Sequence, residues 1–330
     1  MNWKKLIPLI KQARRKSKRP YLSLFIDLAV CYVEKYNYVE YFAYNFAENR
    51  SREYRESFVC VYRHYPIITK KRGVSKEEMD FFGDKGSFIR HFSDFRHIDA
   101  LDLRVDTLSS FSAFLEKHDC FFIKAPRGTG GEGVSKKCRS DFADLTDEAL
   151  YNYLRENGRE IVEEPIKQHP EVSKLSASSV NTLRIFTARH VDGTLSVPFN
   201  VSRISVTGGK LDNASQGGAY TLLDSDGTVI YDYFTYYPEA QIFPENPLTG
   251  FVFKGFKFPF FKESVDMCLE AAERCASHWI GWDVAVTEKG PLIIEANTAP
   301  GPQLFQACNQ LNNNRGRLPE LEEALGISLR

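Results

Sequence analysis

Residues Trp279 to Asn297, WIGWDVAVTEKGPLIIEAN, constrain the fold more than any other stretch of this 330-residue chain. Ile280 to Thr287 is an apolar run rich in β-branched residues, Glu288-Lys289-Gly290 supplies a turn with an αL-tolerant glycine, and Pro291 to Ala296 returns as a second strand. With Lys289 as the turn centre, Asp283 lies opposite Glu295. Directly paired residues project to one face, and strand alternation adds Asn297, two positions further on. A plain hairpin with acids in water would explain either carboxylate alone. It does not explain two acids that interrupt apolar strands at facing positions, so the hairpin reads as part of a site.

Three hard oxygen ligands with no His or Cys among them suit Mg²⁺ shared with nucleotide phosphates better than Zn²⁺. The following Thr298-Ala299-Pro300-Gly301-Pro302 cannot continue a strand and turns away, to where a substrate would sit.

The totals narrow the class. A chain of this length can bury a full core and hold two or three subdomains around one cleft. Lys plus Arg equals Asp plus Glu, 43 each, which removes the global electrostatic argument for a nucleic-acid partner. The seven cysteines are an odd number, widely spread and without a C-x-x-C, and read as reduced, mostly buried thiols of a cytosolic protein. The N-terminus lacks signal-peptide order, and its longest apolar run, Tyr21 to Val33, is interrupted by Asp27 and falls short of the about 20 residues of a spanning helix. The expected location is the cytoplasm, with the inner face of the membrane as the alternative.

Taken in order, residues 3 to 19 form a basic amphipathic helix, which could rest on anionic lipid but more often is a solvated face. Pro20 to Phe46 reads as a helical segment whose apolar positions are core. Ser75-Lys76-Glu77-Glu78 is a capping-box start for a helix ending at Gly83, and Asp84-Lys85 opens another. Phe111 to His118 is a helix, and Cys120 to Lys124 a short strand running into Ala125-Pro126-Arg127-Gly128-Thr129-Gly130-Gly131-Glu132-Gly133-Val134. Backbone N–H groups of such a loop can wrap phosphate oxygens, with Lys124 and Arg127 supplying charge. The G-x-G-x-x-G match is weak taken alone. Ser135 to Ser140 lacks the apolar helical face a dinucleotide fold requires, and no H-R-D or D-F-G follows as in a protein kinase. Strand, glycine loop, strand is the remaining reading, a flap over a nucleotide.

Further on, Asp147 to Asn157 is a helix stopped by Gly158, and Glu160 to Ile166 a strand whose acids reach a proline turn. Hairpins about Asp192-Gly193 and Asp226-Gly227 predict an antiparallel sheet, with Arg184 and Arg203 as its notable charges. The polar stretch Gly208 to Gly218, holding Lys210, reads as a second site loop. Asp232 to Phe261 reads as an irregular crossing, and Val265 to Trp279 as an amphipathic helix supporting the first hairpin.

This order resembles the ATP-grasp superfamily. The resemblance is carried by Ile123-Lys124-Ala125-Pro126 with the loop to Gly133, by Val162-Glu163-Glu164-Pro165-Ile166, by Gly281-Trp282-Asp283 and by Ile294-Glu295-Ala296-Asn297-Thr298-Ala299-Pro300-Gly301, the last similar to the end of D-alanine–D-alanine ligases. Asn181-Thr182-Leu183-Arg184 and Asp212-Asn213 with Gly217-Gly218 resemble the sugar-transfer-associated and teichuronopeptide-type branches. The resemblance implies an α+β fold, two α+β subdomains sandwiching ATP behind a largely helical N-terminal region, divided as residues 1–83, 84–165 and 166–330. It implies that Lys124 and Lys85 contact phosphates under a flap containing Gly128, Gly130, Gly131 and Gly133. Glu163, with Glu164 beside it, would face the adenine amino group, the Ile166 backbone the ring, and Glu171 or His169 the ribose. Asp283, Glu295 and Asn297 would bind Mg²⁺, and Arg184, Arg203 or Lys210 would stand near the γ-phosphate.

The function so implied is an ATP-dependent carboxylate–amine ligase working through an acyl phosphate. Its partners would be a small-molecule carboxylate and amine (an amino acid, a sugar acid or a sugar nucleotide) in capsule or cell-surface polysaccharide assembly. Two alternatives stand beside it. One is phosphotransfer to a small molecule or sugar without ligation, the other a nucleotide-binding regulatory or scaffold module recruited through the basic N-terminal helix.

Overall fold

The computed structural model describes residues 3–72, 75–128, 133–208, 214, 217–236, 239–311 and 314–330. Among them the strands form two antiparallel sheets. The smaller has the order β1-β4-β2-β3, from β1 (Ala100–Asp102), β2 (Cys120–Lys124), β3 (Ser135–Cys138) and β4 (Ile161–Glu163). The apolar stripes of helices Leu108–Lys117 and Asp147–Glu156 close its core around Phe111, Phe114, Phe121, Leu150, Leu154 and Val162.

The larger sheet has the order β11-β10-β5-β6-β7-β8-β9. Its strands are β5 (Thr182–Arg189), β6 (Leu195–Ile204), β7 (Ala219–Leu222), β8 (Tyr233–Thr235), β9 (Gln241–Phe243), β10 (Trp279–Thr287) and β11 (Gly290–Asn297). It is covered on both faces, and its central strands are accordingly apolar on both. Ile185, Ile280, Trp282 and Val284 meet helix Phe261–Glu273 and the aromatics Phe88, Phe92 and Phe95. On the opposite face Phe186, Phe199, Val201 and Trp279 join the N-terminal helices in one continuous core. Gln306 fastens that union: its amide donates to Tyr44 Oη at 2.7 Å and Val59 O at 2.8 Å, and accepts from Val59 N at 3.1 Å. The α+β arrangement expected from the sequence, with a helical region up to residue 95 in front, is the one adopted.

Several local expectations are corrected. The segment Pro20 to Phe46 is two helices, Tyr21–Val33 and Tyr38–Ala43, because Asn37 and Glu40 form a capping box that starts a new helix after Lys35 takes a left-handed φ of 68°. Its apolar positions are not all core, since Leu22, Phe25, Ile26, Val30 and Val33 face solvent. Helix Phe261–Glu273 ends six residues before Trp279, which begins β10 instead. The turn at Asp226-Gly227 closes on a lone bridge from Leu223 to Val229, while Tyr220 of β7 pairs with Phe234 of β8. Nor are all cysteines reduced. Cys120 and Cys138, directly opposed on β2 and β3, form a disulfide, while Cys31, Cys60, Cys268, Cys275 and Cys308 are free thiols. Their 18-residue separation hides a pairing that only the β2–β3 register creates. Among the described residues no helix is long and apolar enough to cross a membrane.

Candidate active site

The hairpin β10–β11 pairs Asp283 with Glu295, by a route the sequence reading did not contain. The turn is the two-residue loop Glu288-Lys289, closed by Thr287 opposite Gly290, whose φ is +110°. Continued without interruption, that register would set Asp283 against Ile294. A β-bulge intervenes, so that Val284 faces Ile293 while Asp283 faces Glu295. Bulges re-aim side chains in this way.

Asp283 is also opposed to Arg184 across β10 and β5, and Arg203 lies on β6 two residues beyond Val201, the partner of Arg184. Opposed and diagonal side chains share a face, so backbone register alone delivers both arginines to the carboxylate. Arg184 Nε and Nη2 donate to its two oxygens at 2.5 and 2.7 Å, and Arg203 Nη1 donates at 3.2 Å. All three residues are buried. Burial would raise the Asp283 pKa, but the two guanidiniums outweigh it and hold the carboxyl below its ordinary range. Glu295 goes the other way: burial by the surrounding protein, then the Asp283 charge within hydrogen-bond reach, raise its pKa. Yet Glu295 is exposed to solvent. Glu295 is thus crowded by protein yet reaches solvent, and its neighbour Ile294 is tied through Arg96 to Glu163 of the smaller sheet, so the space between the two sheets is the candidate cleft.

Two adjacent carboxylates, one of which resists ionisation, make a donor set that a hard divalent cation would relieve. Arg184 and Arg203 occupy much of Asp283, which makes Glu295 and half-buried Asn297 the readier donors. Gly281, beside them, allows the following loop to approach, because a Cβ there would lie 2.6 Å from Pro300. The carbonyl of Pro300 in turn accepts a hydrogen bond from Tyr65 of the N-terminal helices.

The other wall belongs to the smaller sheet. Lys124, the last residue of β2, is ion-paired with buried Glu163, the last residue of β4. Arg96 Nη2 holds the other Glu163 oxygen at 2.9 Å. Burial would raise the Glu163 pKa, but Lys124 and Arg96 outweigh it and hold the carboxyl low. Arg96 also donates through Nη1 to Ile293 O at 2.7 Å and Ile294 O at 2.8 Å, the carbonyls of the bulge that sets Glu295. This one buried guanidinium therefore spans both sheets at the site. Sequence reasoning missed it, since a single arginine between Phe95 and His97 carries no motif.

Lys85 starts helix Lys85–His91 behind the cap Asp84, which Arg104 clamps through two 2.7 Å bonds. Its backbone N–H donates to Pro126 O at 2.9 Å and its Nζ to Gly128 O at 2.8 Å, tying it to the base of the glycine loop. Burial, and then neighbouring Lys124, lower the Lys85 pKa, while Glu295 and Glu163 act against them. Groups from a helix, β2, β4 and β11 thus sense one another across the cleft.

The remaining expected residues lie as follows. Gly128 and Gly133 have φ of 130° and 73°, where a side chain would be strained. Gly130, Gly131 and Lys210 lie outside the described residues. Glu164 Oε2 accepts from Asp99 N at 3.1 Å, and half-buried Ile166 follows β4. Glu171 is paired with Lys174 at 2.7 Å and is exposed, whereas His169 caps the short helix Pro170–Ser173. Cavities of about 720 and 610 Å³ lie against the N-terminal helices, lined by none of these residues.

The model of the family described as sugar-transfer associated ATP-grasp matches residues 97–323. Solved structures similar to the chain include D-cycloserine synthetase DcsG at 13% identity and a TM-score of 0.40, covering 76% of this chain and 71% of that one. D-alanyl-alanine synthetase A from Vibrio cholerae is similar at 12% identity and a TM-score of 0.40, covering 74% and 65%. The ligase PsnB, complexed with a phosphomimetic variant of its minimal precursor, Mg and ADP, is similar at 10% identity and a TM-score of 0.40, covering 78% and 60%. The chain thus spans less than two thirds of the latter two. No match was found among curated proteins.

Proposed function

The chain belongs to the sugar-transfer-associated ATP-grasp family, and from that premise we propose that it is an ADP-forming carboxylate–amine ligase. The observation that carries this reading is the Arg96 guanidinium, which joins Glu163, the partner of Lys124, to the Ile293 and Ile294 carbonyls beside Glu295, and so sets a phosphate-binding cation of one sheet against a divalent-cation donor of the other. The family consists largely of ADP-forming ligases, which use ATP and Mg²⁺.

In this reading Lys85 and Lys124 hold the ATP phosphates. Lys124 exchanges part of its bond to Glu163 for phosphate oxygen. Glu163, still held by Arg96, accepts from the adenine amino group, and the Ile166 backbone meets the ring. Glu295 and Asn297, with Asp283, would hold Mg²⁺, which would supply positive charge to the transferred phosphoryl group. Arg184 and Arg203 keep Asp283 ionised and present positive charge toward the γ-phosphate.

A carboxylate cannot acylate an amine directly, because its leaving group would be oxide. Attack of the substrate carboxylate oxygen on the γ-phosphorus breaks the bond to ADP and makes an acyl phosphate. The amine nitrogen then attacks the acyl carbon, phosphate departs, and the amine loses a proton. The substrates proposed are an amino acid and a sugar acid, in keeping with the family's association with sugar transfer.

The test is Mg²⁺-dependent ADP release on a panel of sugar acids and amino acids, with hydroxylamine present to trap an acyl phosphate. A hydroxamate identifies the carboxylate substrate. ADP together with a stable phosphoester and no hydroxamate would overturn the ligase reading in favour of phosphotransfer. Tight Mg·ATP binding without turnover on any pair would favour a regulatory module.

A further inference from the structure

Helix Tyr21–Val33 is built inside out. Its buried side carries Leu24, Asp27 and Cys31, and the acid among them is fastened by Arg19 at 2.9 Å, Arg55 at 2.8 Å and Tyr41 at 2.9 Å. Its outer side is apolar. Leu22, Phe25, Ile26, Val30 and Val33 fall at i, i+3, i+4 spacing and are exposed, Leu22 at 73% and Val33 at 80%. Isolated exposed apolar residues need no explanation, but a continuous stripe marks an interaction surface.

Cations border the stripe on both flanks. Helix Trp3–Ser17 packs alongside, exposes Lys11, Arg14, Arg15 and Lys16, and sets the Arg14 guanidinium 4.5 Å above the Tyr21 ring. On the other flank a cavity of about 610 Å³ runs from Ile26, Val30 and Val33 to Lys35, Arg50 and Arg52. Acids there do not reverse the sign: Glu56 is bound to Arg52 at 2.7 Å, Asp27 is taken up internally, and Glu34 remains. Along the chain, eight Lys and Arg residues and no acid precede Asp27.

We propose that this face docks on an anionic lipid bilayer, with the stripe in the acyl boundary and the flanking cations among the headgroups. Apolar area and electrostatic attraction combine in such binding. A second copy of the chain fits less well, because cations border the stripe on both flanks and a two-fold pairing of the stripe with itself would set cations against cations. The proposal is independent of the ligase reading.

It is tested by co-sedimentation of the whole protein with phosphatidylcholine vesicles with and without phosphatidylglycerol. Binding is expected only with the anionic lipid, and should fall steeply as the Debye length shrinks from about 10 Å at 0.1 M salt to about 3 Å at 1 M. Phe25→Ser/Ile26→Ser and Arg14→Glu/Arg15→Glu should each weaken it by about tenfold or more, with unchanged circular dichroism and ATP turnover. Absence of binding, or equal binding by either variant, overturns the proposal. So does a solution dimer that Phe25→Ser/Ile26→Ser dissolves, which would make the stripe a self-association face.

Discussion

Replacing Arg96 by methionine removes a charge while keeping most of the side-chain volume, and isolates the bond between the two sheets. The Arg96 and Glu163 side chains are 2% and 7% exposed, so their 2.9 Å pair is fully desolvated. Breaking a buried pair from one side costs about 3–5 kcal/mol, and Lys124, still beside Glu163, moves the expectation to the lower part of that range. The carbonyls of Ile293 and Ile294 lose their donor as well, each worth about 1–3 kcal/mol if left unsatisfied. These terms share one side chain and do not add, so the expected total is about 4 kcal/mol, a large part of the roughly 5–15 kcal/mol that holds a domain folded. Urea unfolding of wild type, Arg96→Met, Glu163→Gln and the double variant supplies both the loss and the coupling, for which about 0.5–3 kcal/mol is expected. In the folded population Arg96→Met should also depress ADP release, because the bulge that aims Glu295 loses its anchor. A loss under about 1 kcal/mol with full turnover, or additive single variants, would refute the idea that Arg96 joins the two walls.

Glu295→Ala should abolish ADP formation while the far-UV spectrum and melting temperature stay near wild type, which separates a site role from a structural one. Because burial and Asp283 raise the Glu295 pKa, the folded state holds this proton longer than the unfolded chain, so stability falls as pH rises through and above the ordinary carboxylate range. Added Mg²⁺ should then raise the melting temperature more at pH 8 than at pH 5 in wild type, and lose this pH dependence in Glu295→Gln. A second pair shows how opposite linkages can hide each other. Burial pushes Glu40 up to about 7 and buried His64 down to about 4. The first makes stability fall with rising pH between its ordinary value and about 7, the second makes it rise between about 4 and its ordinary value. These two contributions should therefore largely cancel between these limits, while His64→Phe should steepen the fall of stability with rising pH in urea titrations. Gly281→Ala should cost about 1–3 kcal/mol by thermal unfolding, since its Cβ would meet Pro300 at 2.6 Å.

The parts legible in advance were those governed by local chemistry. Ser75 and Asp84 cap helices where their side chains can reach the backbone N–H three residues on, and the glycines at 158, 193 and 290 adopt positive φ where the chain must turn. Asp283 and Glu295 were legible because period-two alternation shows which residues interrupt an apolar face. The break at Asn37 was missed although Asn37 and Glu40 carried a capping signal, because the flanking run of Tyr, Phe and Val looked like one helix.

What the chain by itself determined is the inventory: apolar strands, their turns, a glycine loop preceded by a lysine, and carboxylates at paired positions. Tertiary structure decided where these meet. Arg96 reaches Glu163 and the Ile293–Ile294 bulge across 67 and about 198 residues, and Cys120 meets Cys138 through strand register. The Tyr21–Val33 helix turned its apolar side outward because Asp27 is fixed inside by Arg55, 28 residues away, and a charge so desolvated must stay with its partner. Periodicity reports that a helix has two faces; which of them is buried depends on groups distant in sequence.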